Sequence, residues 1–447
     1  MIKAYSSICK EYPFIILTLG FAYGATIVFT FFGPVLAIAA GDAAPFLSII
    51  AVVFHVLGFF LKPTRLEQQP QFFCVSLLLL LPLVLLFHII PYYLQVITAM
   101  LYAYMIGRIG CFWTYISNRV IVNYLRGKII SAALFIAFAI LFFVNLSSPL
   151  LTKQVALILP VVLSSIAVYA YLKLVTKYKN TVVINKEIMK SEISPYFIFV
   201  FLSVVYIAGG FSYGGIYPSF APYEYIDRYY NVFFFLIAII SAGIILDKYG
   251  RKIAFMLGVG FLGISFTFFI MPSSVLTYLI TQTFLQSGWA FVNAFGWSFS
   301  WDIAERSRQD SLFPRGIAAM LLGASIGALI AQVFENSGWG YPSVYGLVTF
   351  IPLFTALILL VFFPETLKIN DKREFKFAQL QQCAELKALT PRELEVCYHL
   401  LQKFSNKSIS TELFISENTV KTHIRRIYGK LNVASREELK TYIDELL

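Results

Sequence analysis

Runs of about twenty apolar residues recur along most of this chain, the length a helix needs to cross about 30 Å of hydrocarbon at about 1.5 Å per residue. Inside lipid no water satisfies the backbone, so each run must close its hydrogen bonds internally as helix. Of the 447 residues, 59% are hydrophobic and 13% charged, against about 25% charged in ordinary soluble domains. That balance excludes a soluble multidomain enzyme. Breaks at charged and turn residues delimit twelve expected spans, at 13–38, 44–61, 72–90, 91–116, 129–147, 154–175, 195–216, 230–246, 253–271, 273–300, 316–335 and 342–363. The expected fold is all-α. The stretch from Thr176 to Ser194 is the longest polar connection between spans and divides them six plus six.

Charge gives the orientation. Of the 21 Lys and Arg before residue 364, eighteen fall at the N-terminus or in alternate connections, among them Arg119, Arg126 and Lys128, then Lys248, Arg251 and Lys252. Only Lys153 and Arg228 belong to the other side. Basic residues near span ends stay cytoplasmic, so both termini are expected there. Most of the net charge of +11 is then topology signal and attraction to anionic headgroups. The segment after Tyr12 is too long for a signal-peptide core and is read as a retained first span. The five cysteines form no CxxC pair and have no histidine at zinc spacing, so no disulfide framework, metal or cofactor is expected. No nucleophile motif stands out either, and the chain is not expected to be an enzyme.

The eighth span closes on Gly243-Ile-Ile-Leu-Asp247-Lys248-Tyr-Gly250-Arg251-Lys252. An acid at a helix end offers a partner to a neighbouring helix, glycines permit a tight turn, and the cations anchor at headgroups. This spacing resembles the loop motif of the major facilitator superfamily in its second-half copy. The first-half position reads Gly58-Phe-Phe-Leu-Lys62-Pro-Thr-Arg65, without the acid or the second glycine. Tyr104-Met-Ile-Gly107-Arg108-Ile109 resembles that family's intramembrane arginine motif, and Pro364-Glu365-Thr366 its sugar-porter ending. The resemblance implies a bundle of six plus six helices built for small molecules.

Within the spans, Arg108 lies about eight residues, roughly 12 Å, from the cytoplasmic end of span four. It either serves a cavity or helix interface, or snorkels to the headgroups. Span ten carries Gln282, Gln286, Trp289, Asn293, Trp297 and Trp301 at helical spacing, which stacks them along one face. Two readings stand for this stripe. Amides and indoles facing the bundle interior suit an aromatic or hydroxylated small molecule, with Arg108, Gln282, Gln286, Trp289, Asn293 and Trp297 as candidate cavity residues. They equally suit interhelix contact with an aromatic belt at Trp301.

After Phe363 the composition turns soluble. Domains are therefore expected at 1–363 in the membrane, 364–388 as a cytoplasmic linker with a short helix over 378–386, and 389–447 as a small helical domain. In that domain Thr390, Pro391 and Glu393 form a capping box that opens one helix. Ser405 to Leu413 makes a short second helix, and Ser416 begins a third whose Val420, Ile424, Ile427 and Leu431 face inward at spacings of three and four. Lys421, Thr422, Arg425 and Arg426 then point out.

The pattern from Leu389-Thr390-Pro391-Arg392-Glu393 through Ser405-Asn406-Lys407 and Ile415-Ser416 to Thr419-Val420-Lys421-Thr422-His423 and Lys430-Leu431 closely resembles the LuxR-type helix-turn-helix. The resemblance implies a third helix in the major groove, with Lys421, Thr422 and Arg425 at base edges. It implies Asn406, Lys407, Thr419, His423 and Lys430 at phosphates. It also implies double-stranded DNA as partner and a homodimer on paired half-sites. Joined to the spans, this leads to an expected membrane-embedded, ligand-responsive transcriptional regulator. The alternative is a major-facilitator-type transporter with a regulatory DNA-binding tail.

Overall fold

The computed structural model describes residues 2–446 apart from 32, 62–68, 122–124, 179–194, 231, 308, 363–379, 381–385, 387, 403 and 414. The described residues contain helices and no strand. The chain divides into two compact units: Met1–Asn118, Leu125–Lys177 and Ile188–Ile369 form one, and Arg119–Tyr124, Tyr178–Glu187 and Asn370–Leu447 the other.

The first unit opens with α1 (Ile2–Glu11), followed by α2 (Pro13–Ala25), a π-turn at Thr26–Thr30, α3 (Pro34–Ala40) and α4 (Ala44–Phe60). Then come α5 (Gln69–Leu85), α6 (Tyr92–Val120), α7 (Arg126–Ser147), α8 (Lys153–Tyr178), α9 (Pro195–Ser219) and the short α10 (Glu224–Tyr230). It closes with α11 (Phe233–Lys248), α12 (Arg251–Phe269), α13 (Val275–Arg306), α14 (Leu312–Asn336) and α15 (Pro342–Phe362). Helix lies over every one of the twelve expected spans, and eight helical runs are long and apolar enough to cross a membrane. This is a multi-pass membrane protein. Leu79, 75% exposed, and Phe143 show outer faces as apolar as the interior, as expected where lipid is the solvent.

Three boundaries differ from expectation. The first expected span is interrupted: the chain turns at Phe31 and restarts at Pro34, whose ring suits the first turn of a helix. A β-carbon on Gly33 would collide with the Val28 carbonyl, so this turn needs glycine. At the other end α13 continues past residue 300 to Arg306, which brings Asp302 and Glu305 onto the helix. The N-terminal segment is itself helical, and the Tyr5 hydroxyl donates to the Ile240 carbonyl at 2.9 Å. Lys62, Arg65 and most of the loop from Thr176 to Ser194 fall outside the described residues.

Small residues set the closest helix crossing. A β-carbon on Gly210 of α9 would collide with the Ala324 carbonyl, and one on Gly327 of α14 with the Ile207 carbonyl. In lipid, where apolar burial drives little association, such backbone approach supplies the packing.

The second unit holds α16 (Pro391–Leu401), α17 (Asn406–Glu412), α18 (Glu417–Leu431) and α19 (Arg436–Leu446). Val396, Cys397, Ile409, Val420, Ile427, Leu439 and Ile443 form its core. Leu380 and Leu386, from the stretch expected to be linker, are buried in that same core. Of the short helix expected over 378–386, only Leu380 and Leu386 belong to the described residues.

Candidate nucleic-acid interface and buried stripe

Each helix of the small unit starts at a hydroxyl cap. Thr390 Oγ1 accepts from the Glu393 N–H at 3.3 Å while Glu393 Oε2 accepts from the Thr390 N–H at 2.8 Å, the reciprocal box expected there. Ser405 accepts from the Ser408 N–H and Ser416 from the Thr419 N–H, both at 3.1 Å. These caps satisfy N–H groups that have no intrahelical acceptor. α18 ends at Asn432, whose φ of 53° places it in the left-handed region that suits a helix terminator.

Val420, Ile427 and Leu431 are buried and Ile424 packs on the same core. The opposite face of α18 therefore carries Lys421, Thr422, Arg425 and Arg426, all exposed. Thr422 Oγ1 donates back to the Asn418 carbonyl at 2.9 Å. Thr419 and Lys407 are exposed, and Asn406 and His423 half-buried. Lys430 is placed differently from the rest. Its ammonium donates to Glu393 Oε2 at 2.7 Å and to the Ala388 carbonyl at 3.1 Å. Burial alone would push the Glu393 carboxyl up, but the hydrogen bonds from Lys430 and Thr390 outweigh it and hold the group down at about 2. Lys430 thereby ties the end of α18 to the start of α16.

In the bundle, Gln282, Gln286, Trp289 and Trp297 are buried and Asn293 half-buried along one face of α13. Gln286 is hydrogen-bonded to Tyr213 of α9. The Trp289 ring lies 6.1 Å from Tyr213 and 6.4 Å from Tyr206, and a β-carbon on Gly209 would meet it at 2.7 Å. Asn293 accepts from the Tyr206 hydroxyl at 3.2 Å and donates to the Trp289 carbonyl at 2.9 Å. Trp297 meets Tyr23 at 5.8 Å and Trp113 at 6.3 Å. The stripe thus faces the helices of the bundle.

Arg108 is not part of that group. Its guanidinium donates to the Gly58 and Leu61 carbonyls at the end of α4 and lies 5.4 Å from the Phe73 ring and 4.8 Å from the Phe112 ring. With 3% of its surface exposed it does not snorkel. Its positive charge sits where the carbonyl end of α4 is negative, an interhelix role.

Around the loop motif lies a buried charge network. Asp247 accepts from the Gly127 N–H at 2.7 Å and the Lys128 N–H at 2.9 Å, capping the free start of α7. Arg251 binds Asp302 at 2.7 Å and lies 3.6 Å from Asp247. Arg126 binds Asp302 at 2.7 Å and also Glu305. Two guanidinium groups share one carboxylate, and the cluster joins α7, α11, α12 and α13. Gly250 makes the turn between α11 and α12 at a φ of +91°, open to glycine and strained for other residues, and Gly243 packs so closely that a β-carbon would meet Ser131 Oγ at 2.6 Å. In the sequence Arg126 reads as one more loop cation, and nothing beside Asp302 or Glu305 marks them as its partners. The signal available was their spacing of three at the end of span ten, which puts both acids on one helical face.

Residues 387–443 match the family described as bacterial regulatory proteins, luxR family. The C-terminal domain is a LuxR-type helix-turn-helix. Over 48 residues it is 58% identical to the nitrate/nitrite response regulator protein NarP of Escherichia coli (strain K12), covering 11% of this chain and 22% of that protein. Over 59 residues it is 44% identical to the HTH-type transcriptional regulator MalT of Vibrio cholerae serotype O1, covering 13% of this chain and 6% of that protein. The chain thus spans about a fifth or less of the length of either relative.

The bundle aligns with the proton:xylose symporter XylE of the major facilitator superfamily at a TM-score of 0.57 and 14% identity, over 79% of this chain and 96% of that one. It also aligns with an outward-facing bacterial homologue of the iron transporter ferroportin at 0.55 and 14%, over 79% and 98%. The protein therefore joins a LuxR-type domain to a bundle with the major facilitator fold. Within the LuxR-type domain, Lys421, Thr422 and Arg425 lie on the face of α18 opposite its core contacts.

Proposed function

We propose that this protein is a membrane-embedded, ligand-responsive transcriptional regulator, with the bundle as sensor and the LuxR-type domain as DNA reader. The observation that carries the reading is the joining, in one chain, of an exposed basic recognition helix to a multi-pass bundle. A reader held at the membrane responds to what the bundle binds. On this reading Lys421, Thr422 and Arg425 contact base edges, where cations suit the guanine acceptors of the major groove. Asn406, Lys407, Thr419 and His423 contact phosphates and add salt-dependent affinity. Lys430 reaches phosphate only by leaving Glu393. Pairing of two domains on half-sites raises an affinity that one small module supplies weakly. Both termini lie in the cytoplasm of a bacterium and the spans in its inner membrane.

The ligand occupies the α13 stripe and acts by binding one bundle conformation better than another, since it shifts that equilibrium only by its differential affinity. The network of Arg126, Asp247, Arg251, Asp302 and Glu305 is the element with two arrangements: formed as described, or opened as the helix ends part. The test is promoter output, measured by transcript profiling of deletion and overexpression strains with and without removal of the bundle. Stimulus-dependent output that requires the bundle is the expected result, and the same dependence from the severed domain alone refutes it.

The loop-motif geometry favours a second reading, a transporter with a regulatory tail, because the cap from Asp247 to α7 is intact. That reading predicts substrate flux that survives removal of residues 376–447.

A further inference from the structure

Three side chains of the α13 stripe carry buried polar atoms with no hydrogen-bond partner among the described residues: Gln282, Trp289 and, further along, Trp301, whose ring packs on Arg126 and Phe313. Gln282 is buried, 1% exposed, and neither its amide nitrogen nor its amide oxygen has a hydrogen-bond partner among the described residues. The Trp289 indole N–H is likewise buried and unpartnered. The two residues are seven apart, close to two helical turns, and so share one side of the helix. Their neighbours on that side are committed: Gln286 to Tyr213, and Asn293 to Tyr206 and the Trp289 carbonyl. What remains available at this end of the stripe is a carboxamide's adjacent donor and acceptor plus the indole donor of Trp289, whose ring lies beside Tyr213 and Tyr206.

Every one of these side chains is neutral. The buried charges of the bundle are engaged elsewhere: Arg126, Asp247, Arg251, Asp302 and Glu305 with one another, and Arg108 with the end of α4. A charged molecule at Gln282 would surrender its hydration without a counter-ion, whereas a neutral amide would trade water for matched partners. Resting on the ligand-sensing reading, we propose that the Gln282–Trp289 face takes an uncharged planar molecule bearing an amide-type donor–acceptor pair, the chemistry of carboxamides, lactams and nucleobases. Gln282 pairs edge to edge with that group, the Trp289 N–H donates to the remaining lone pair of its carbonyl, and the rings stack on the plane.

The test compares benzamide, benzoate and benzamidinium, one ring carrying a neutral amide, an anion or a cation, on the purified full-length protein in detergent. Thermal unfolding reports binding, because a ligand of the folded state alone stabilises it by mass action. Benzamide raises the unfolding temperature at millimolar concentration and binds at least about tenfold more tightly than either charged isostere. Gln282→Leu removes the benzamide shift, and Trp289→Phe, which keeps the ring and loses only the N–H, weakens it. Equal binding of a charged isostere, undiminished binding by Gln282→Leu and Trp289→Phe, or no shift with any of the three compounds overturns the proposal. The sensing reading fails separately, when promoter output ignores the bundle whatever benzamide does. A bundle-dependent response that survives Gln282→Leu removes this site and leaves sensing in place.

Discussion

Lys421 and Arg425 are one turn apart on α18, both exposed, with Val420 buried beside them. Replacing either by Ala is expected to weaken operator binding by about 1–3 kcal/mol, about 5- to 160-fold, and to relax specificity at one base position, read by gel shift with operator variants. Lys407→Ala is expected to weaken all sequences alike and to lower the slope of affinity against salt by about one. Glu393 yields a pH prediction. Its carboxyl is held at about 2 in the folded domain and near 4.3 when unfolded, so between those values the unfolded chain binds the extra proton. The stability from its pairing is complete above about pH 4.3 and drains away as the pH falls towards 2. Glu393→Gln flattens acid unfolding over that window, measured by circular dichroism. These positions were legible because caps and faces are local: hydroxyl, proline and acid at 390, 391 and 393 announce a helix start, and spacings of three and four sort α18 into two sides. The commitment of Lys430 to Glu393 was not legible, since a partner 37 residues away leaves no local pattern.

Among the elements, the cluster at the cytoplasmic helix ends as the charge pattern orients them repeats that lesson at longer range. Asp247 announced itself through glycines and cations beside it, whereas the separation of 176 positions between Arg126 and Asp302 made Arg126 look like any loop cation. Because Asp302 answers two buried guanidinium groups at 2.7 Å, while Asp247 holds Arg251 at 3.6 Å, the half-buried Lys128 ammonium at 3.8 Å and two backbone N–H groups, Asp302→Asn is expected to cost more. Breaking a buried pair costs about 3–5 kcal/mol, so unfolding in detergent should fall further for Asp302→Asn than for Asp247→Asn. The crossing of α9 and α14 gives an independent check: Gly327→Leu is expected to separate these helices and lower the unfolding temperature, while Leu79→Ala on the exposed face of α5 leaves it nearly unchanged. Helix positions were readable from hydropathy alone. The interruption at Phe31–Gly33 was not, because that stretch is as apolar as its surroundings and only the Gly33-Pro34 pair marks it.

For the whole molecule, the hydropathy record told bundle from tail, and the change in composition after Phe363 marked where one ends. It did not mark where the other begins. Leu380 and Leu386 are buried in the same interior as residues of α16 and α18, and Lys430 grips the Ala388 carbonyl. Losing a buried leucine side chain costs about 2–5 kcal/mol. A fragment of residues 376–447 is therefore expected to melt well above one of residues 389–447, by calorimetry of the two side by side. The shorter piece would bind operators poorly because its own interior is incomplete, a failure easily mistaken for loss of an instruction from the membrane. Any attempt to set the LuxR-type domain free must therefore sever the chain upstream of Leu380, and only such a cut tests whether the bundle governs transcription at all.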